Sequence, residues 1–180
     1  MYIEATGKRK PIGVLMIEHR LIERALMALE TKVKAGEPDV IGFAELIDFF
    51  GTYADATHHG KEEDILFIEA DGLTLSEELS RVLAELRAEH VRFRGYRRAM
   101  AAANRRLAKG EGAALKELAA SALEFIPSLR QHILKEDKIF FPGFDALVDK
   151  AAREAMMSRF RAFDAERIHE TYQAVVERNE

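Results

Sequence analysis

Cysteine is missing from this sequence altogether, which excludes disulfides, thiolate metal sites and cysteine nucleophiles. Any metal must therefore be held by nitrogen and oxygen. Proline is scarce, with four in 180 residues, so few positions interrupt a helix. No apolar run reaches the length of a membrane span, so no membrane partner is expected. An excess of positive charge is also absent: the formal net charge is −4, and that leaves no basic footprint for nucleic acid. The N-terminal stretch MYIEATGKRKPIGVLMIEHR is soon broken by Glu18, His19 and Arg20 and does not read as a signal peptide. With no export signal visible, the expected compartment is the cytoplasm.

Alanine, leucine, glutamate and arginine are plentiful, and 48% of the residues are apolar against 32% charged. That balance suits a soluble all-α domain with a real core. We expect one domain over residues 1–180. Pro11 suits a first helical turn, and Ala35-Gly36 an end. Asp39 can cap a second helix running to about Glu69, followed by a turn at Asp71-Gly72. Thr74 with Glu77 reads as a capping box for a third helix, ended by Gly110 and Gly112. A fourth helix should run to Phe141 and stop at Pro142-Gly143, with Pro127 kinking or splitting it. Short connections favour antiparallel neighbours, hence an up-down-up-down four-helix bundle over about residues 11–142. An additional C-terminal helix is expected over about 144–177. Its Met156, Met157, Phe160 and Phe163 must cover something, either an end of the bundle or a homodimer contact.

The stretch HHGKEEDILF, residues 58–67, poses a choice of ligand pair, because both His58–Glu62 and His59–Glu63 are one helical turn apart. Stepping by three and four residues separates them. Ile47, Phe50, Ala54, His58, Glu62 and Ile65 form an apolar stripe. Asp48, Thr52, Asp55, His59, Glu63 and Leu66 form a mainly solvated one. The same test puts His19 on the core stripe of helix one, with Ile12, Leu15, Ile22, Leu26 and Leu29. It puts His90 among Leu79, Leu83, Leu86, Phe93 and Met100. It puts His132 and Glu136 among Leu118, Ala122, Phe125, Leu129 and Phe140. Each bundle helix thus points one histidine inward, and two of them add a glutamate.

A lone core histidine is usually just hydrogen-bonded packing. Buried unpaired carboxylates are costly, and bound cations would explain His19, His58, Glu62, His90, His132 and Glu136 together. A residue and its i+4 neighbour rise about 6 Å apart along one face, so a histidine and the next glutamate can reach the same or adjacent ions. Carboxylates can bridge two cations, and two bridging carboxylates with two histidines per ion make a symmetric dinuclear site. Oxygen ligands with imidazole suit Fe or Mn, with Zn open.

The pieces IEHRLIE around His19, HHGKEEDILF around His58, AEHVRF around His90 and HILKEDKIFFP around His132 occur in one order over residues 11–142. In this the chain resembles the hemerythrin-like, or HHE cation-binding, domain family. The resemblance implies a four-helix bundle with a non-haem di-iron centre, oxo- or hydroxo-bridged, that binds O2 or, in some branches, NO or peroxide. It implies His19 and His58 on one iron, His90 and His132 on the other, and Glu62 and Glu136 bridging. In the oxygen carriers the last acidic ligand lies five residues after its histidine, which here is Asp137. The stripe prefers Glu136, since i+4 stays within about 40° of His132 while i+5 swings about 140° away. The carriers also have a fifth histidine one turn before His90, where this chain has Leu86. Leucine cannot ligate, so Glu89, Tyr53 or water would have to substitute, and positions on the ions would stay open.

These readings lead to a di-iron protein that binds a diatomic ligand, O2 or NO, for sensing, storage or stress response. A di-iron oxidoreductase turning over NO, O2 or peroxide, with an unidentified reductase, is the alternative, as is iron handling or iron-centre repair. Tyr53 reads either as a donor to a bound oxygen species or as packing. Phe50, Phe93, Phe125, Leu86 and Leu129 should wall the pocket. His59 reads as solvated surface, Glu23 as a boundary residue, and His169 as no ligand.

Overall fold

A computed structural model describes residues 10–164 and 168–180. Residues 1–9, and residues 165–167 within the expected fifth helix, lie outside the described residues. Among the described residues there are six helices and no strand. Helix α1 is Pro11–Ala35. Helix α2 covers 40–71 and joins Val40–Phe49, a wide-turned stretch Phe50–His59, a second wide turn Glu62–Leu66, and Phe67–Asp71. Helix α3 is Glu77–Leu107. Helix α4 covers 114–147 through Ala114–Lys135, a wide turn Glu136–Phe140 and Phe141–Leu147. Helices α5 and α6 are Lys150–Phe163 and Ile168–Glu177.

The ends follow local chemistry. Pro11 opens α1, and Gly36 closes it in the left-handed region at φ 69°, where glycine carries no Cβ penalty. Asp39 caps α2 by accepting from the Gly42 amide at 2.9 Å. The expected capping box at Thr74 is displaced: Ser76 is the cap, its Oγ accepting from the Leu79 amide at 3.2 Å. That start leaves Leu73 and Leu75 free to pack on the core. Pro127 does not split α4. Nor does Pro142 end it, because the preceding turn is wide, with the Phe141 amide bonding back to the Glu136 carbonyl. Pro142 then falls in the first turn of a fresh α segment, where a missing N–H is tolerated. Gly143 has a packing reason as well, since a Cβ there would come within 2.7 Å of the Leu79 side chain. The expected single fifth helix is two: Val148 is extended, Asp149 caps α5 by accepting from the Ala152 amide at 2.8 Å, and Asp164 is extended again.

Two apolar clusters are stacked along the bundle. One takes Ile22 to Leu29 of α1, Phe43 to Ala54 of α2, Phe93 to Leu107 of α3 and Leu118 to Ile133 of α4. The other takes Ile12 to Leu15, Ile65 to Ala70, Leu79 to Leu86 and Phe140 to Phe144. Each successive helix meets the clusters in the opposite order, which is the up-down-up-down arrangement. Met156, Met157 and Phe160 of α5 join the second cluster, and Tyr172, Val175 and Val176 of α6 join the first. The C-terminal helices thus cover the flank of their own bundle. Every predicted polar core residue falls in the layer between the clusters. Among the described residues no helix is long and apolar enough to cross a membrane.

Candidate metal centre

His19, His58, Glu62, His90, His132 and Glu136 are all buried, none more than 1% exposed. Glu62 and Glu136 lie between two sets of imidazoles. One oxygen of Glu62 is 3.5 Å from His58 Nε2, and the other is 3.5 Å from His90 Nε2. One oxygen of Glu136 is 3.2 Å from His19 Nε2, and the other is 3.1 Å from His132 Nε2. His90 and His132 bring their Nε2 atoms 3.1 Å apart. The donors fall into two groups, each with its ligand atoms within 4.8 Å of one another: His19, His58, Glu62 and Glu136, and His59, Glu62, His90 and His132.

The outward face of each imidazole is anchored. Nδ1 of His19 lies 2.8 Å from Asp137, that of His58 2.9 Å from Glu18, that of His90 2.8 Å from Glu63, and that of His132 2.9 Å from Glu89. Such carboxylate–histidine pairs fix the ring and leave Nε2 to face inward, the usual device around a metal. Each anchor is itself paired with a cation: Asp137 with Arg20, Glu18 with Lys61, Glu63 with Arg94 at 2.8 Å, and Glu89 with Lys135 at 2.6 Å. Each outer anchor therefore has a cationic partner. Glu62 and Glu136 have no basic partner of this kind, and all four of their oxygens, with His19 Nε2 and His58 Nε2, lack a hydrogen bond. Two buried carboxylates facing unpartnered nitrogens are what a pair of divalent cations would satisfy, so the residues fit a metal.

The field inside the layer points the same way. Burial pulls the His19 imidazole down, but Asp137 and Glu136 overcome it and raise the group to about 9. Burial drives His58 down to about 3 in spite of Glu18, with His19 adding to the fall. Burial and the Glu136 charge push Glu62 well up. Glu18 is opposed by burial, yet Lys61 and His58 hold it at about 2. Burial lowers His58, His59 and His90 toward the neutral form in which imidazoles ligate, whereas at His19 and His132 the neighbouring carboxylates overcome burial and raise the group.

The sequence reading missed His59, which is 3% exposed and stacked on His90 with ring centroids 3.9 Å apart. The cause is the wide-turned stretch Phe50–His59, where amides bond five residues back, as from Gly60 to Asp55. Fewer degrees per residue bring both His58 and His59 inward, and a 3.6-residue stripe does not follow that. Glu63, also expected in solvent, sits half-buried between His90 and Arg94. Buried Glu18 and Lys61 gave no periodic signal either, because each is accommodated by the other.

Leu86 is fully buried, and Glu89 anchors His132 on its outward face. Asp137 likewise anchors His19 and leaves the inward position to Glu136. Glu23 pairs with Arg20 at the surface. The Tyr53 hydroxyl is 3.0 Å from His169 Nδ1, with the ring stacked on Phe49. Glu18, Asp164 and His169 also bring donor atoms together, but Lys61, bonded to Glu18 and 2.7 Å from Asp164, already supplies the positive charge there.

The family model described as the hemerythrin HHE cation binding domain matches residues 10–144. No curated protein matches the chain.

Proposed function

The chain belongs to the hemerythrin HHE cation-binding domain family, and on that premise we propose that it holds two non-haem iron ions and binds a diatomic ligand, O2 or NO. The observation that carries the reading is the placement of Glu62 and Glu136, each turning one oxygen to one histidine set and the other oxygen to the second set. His19 and His58 would hold one ion. His90 and His132 would hold the other, with His59 as a third imidazole. The two carboxylates would bridge, with an oxo or hydroxo group between the ions. His59 supplies the nitrogen that Leu86 cannot.

An iron pair supplies redox-active coordination positions for a small molecule. The protein's part is to keep those positions dry and aligned. Phe93 meets His132 edge-on at 5.1 Å, Phe67 stacks on His90 at 5.7 Å, and Phe141 stacks on His19 at 5.6 Å. Apolar rings thus cover the imidazole faces, while the outer carboxylates keep the imidazoles from rotating. With three imidazoles on one side and two on the other, few positions stay open, which favours binding for sensing, storage or stress response over turnover of NO, O2 or peroxide.

Elemental analysis of anaerobically purified protein, followed by the visible spectrum on adding O2 or NO, tests this. Two irons per chain and a new stable charge-transfer band are expected. A band that decays with catalytic loss of the gas would move the assignment to an oxidoreductase. Zinc alone, or no metal, in a well-folded iron-supplied preparation would overturn it.

A further inference from the structure

Beside the donor layer, a cavity of about 10 Å³, roughly one water's worth of space, is walled by Phe50, Ala54, Phe93, Phe125 and Leu129 and bounded by His59. Outside it, a surface groove of about 470 Å³ runs along Ile47, Thr52, Asn104 and Arg105. Arg97 lines both. Its side chain lies against Gly51, where an added Cβ would come 3.1 Å from Nη1. A side chain at position 51 would crowd the guanidinium and make it give by a few tenths of an ångström.

Arg97 is also chemically unusual. Its neighbour Arg94 is bound to Asp55 at 2.8 Å and to Glu63 at 2.8 Å. Arg97 Nε is buried and has no hydrogen-bond partner. A guanidinium N–H removed from water without an acceptor is costly. The carboxylates lining the two spaces do not fill the role: Asp55 is held by Arg94, and Asp48 accepts from the Tyr172 hydroxyl at 2.8 Å. A neutral gas gains nothing from a guanidinium. A small anion gains both a charge and N–H donors.

We propose that Arg97 is a binding and gating site for a small inorganic monoanion, of the size of azide or nitrite, on its way from the groove to the metal centre. The inference rests on the metal-centre reading above for its destination, and the site itself stands on Arg97. Electrostatic capture at such a point speeds association, and salt screens it.

The test uses azide as probe, in two arms. In the first, the Nε–H resonance of Arg97 is followed by 15N-correlated NMR on the Zn-loaded full chain, which is diamagnetic, or on the chain as isolated if it takes up no metal. A saturable shift on adding azide, absent with an equal concentration of a neutral solute, is expected. No saturable shift overturns the proposal, whether or not metal binds. In the second, stopped-flow association of azide with the iron-loaded protein is compared between wild type, Arg97→Met and Arg97→Lys. The methionine variant should slow azide on the order of tenfold and leave O2 or NO association equal or faster. The lysine variant should recover part of the azide rate. Equal azide rates in wild type and Arg97→Met would overturn the gate. Failure to load metal would overturn the proposed function and leave the NMR arm to decide the anion site.

Discussion

Glu62 and Glu136 are buried carboxylates that, among the described residues, face imidazoles and no lysine or arginine. The four outer carboxylates each have a lysine or arginine; these two have only imidazoles. Inner and outer carboxylates should therefore respond differently to the same change. Glu62→Gln keeps the shape but removes the charge of a carboxylate that faces both histidine sets and replaces one of its two oxygens by an amide nitrogen, so we expect metal content to fall by half or more. The metal-free variant should be no less stable than metal-free wild type, because a neutral amide replaces a carboxyl whose charged form burial and Glu136 already disfavour. Glu89→Gln alters only the anchor behind His132. We expect it to preserve stoichiometry and weaken affinity on the order of 10- to 100-fold. Elemental analysis with chelator competition on both variants checks the contrast, and equal loss in the two would erase the distinction between inner ligand and outer anchor. His19, His58, Glu62, His90, His132 and Glu136 were legible as buried because each falls among apolar residues at three- and four-residue steps, while His59 was lost in the wide-turned stretch. The outer carboxylates were not legible, since Glu18, Glu63, Glu89 and Asp137 lie off those stripes and meet their histidines across helices.

At the scale of the helix, the wide turns bring the donors together. The stretch Phe50–His59 has the Thr57 hydroxyl bonding to the Thr52 carbonyl five residues back, at 2.8 Å, and Glu62–Leu66 and Glu136–Phe140 follow the same register. Such turns cluster at functional sites, and two of the three here begin on the glutamates themselves. Deleting one exposed residue, Ala56, should let the stretch relax to α geometry. Every side chain beyond it would then rotate by about 100° relative to the residues before it, carrying His58, His59 and Glu62 off the layer. We expect far-ultraviolet circular dichroism to stay helical while metal binding is lost. Retained metal would mean that the wide turn is incidental to the site. Helix existence and order were readable from apolar periodicity and from Pro11, Gly36 and Asp39. The wide turns were not, because nothing in FGTYADATHH distinguishes five-residue from four-residue hydrogen bonding before tertiary contacts are made. His59, the Pro142 read-through and the break at Val148 were hidden for that kind of reason.

On the scale of the whole molecule, the bundle is two apolar clusters held apart by a polar layer, with α5 and α6 strapped along the flank. The strap is tied to that layer: Asp164, after α5, receives Lys61, which bonds Glu18, which anchors His58. Metal in the layer should therefore stabilise the entire fold. Ligand present at a thousand times its Kd adds about 4 kcal/mol per site, and at this chain length 1 kcal/mol moves the midpoint by roughly 2–4 °C. With two sites, chelation of the metal-loaded protein should lower Tm by roughly 15–30 °C, and returning the metal should restore it. A double variant, Glu62→Gln with Glu136→Gln, should melt at the same temperature with or without chelator, since it has neither the buried charges nor the site. If chelation leaves the wild-type midpoint unmoved, the two carboxylates must be balanced by protons on the imidazoles, and the layer would be a self-neutralised core with no need of a cation. Calorimetry of wild type and double variant, each with and without chelator, separates the two arrangements without reference to any gas.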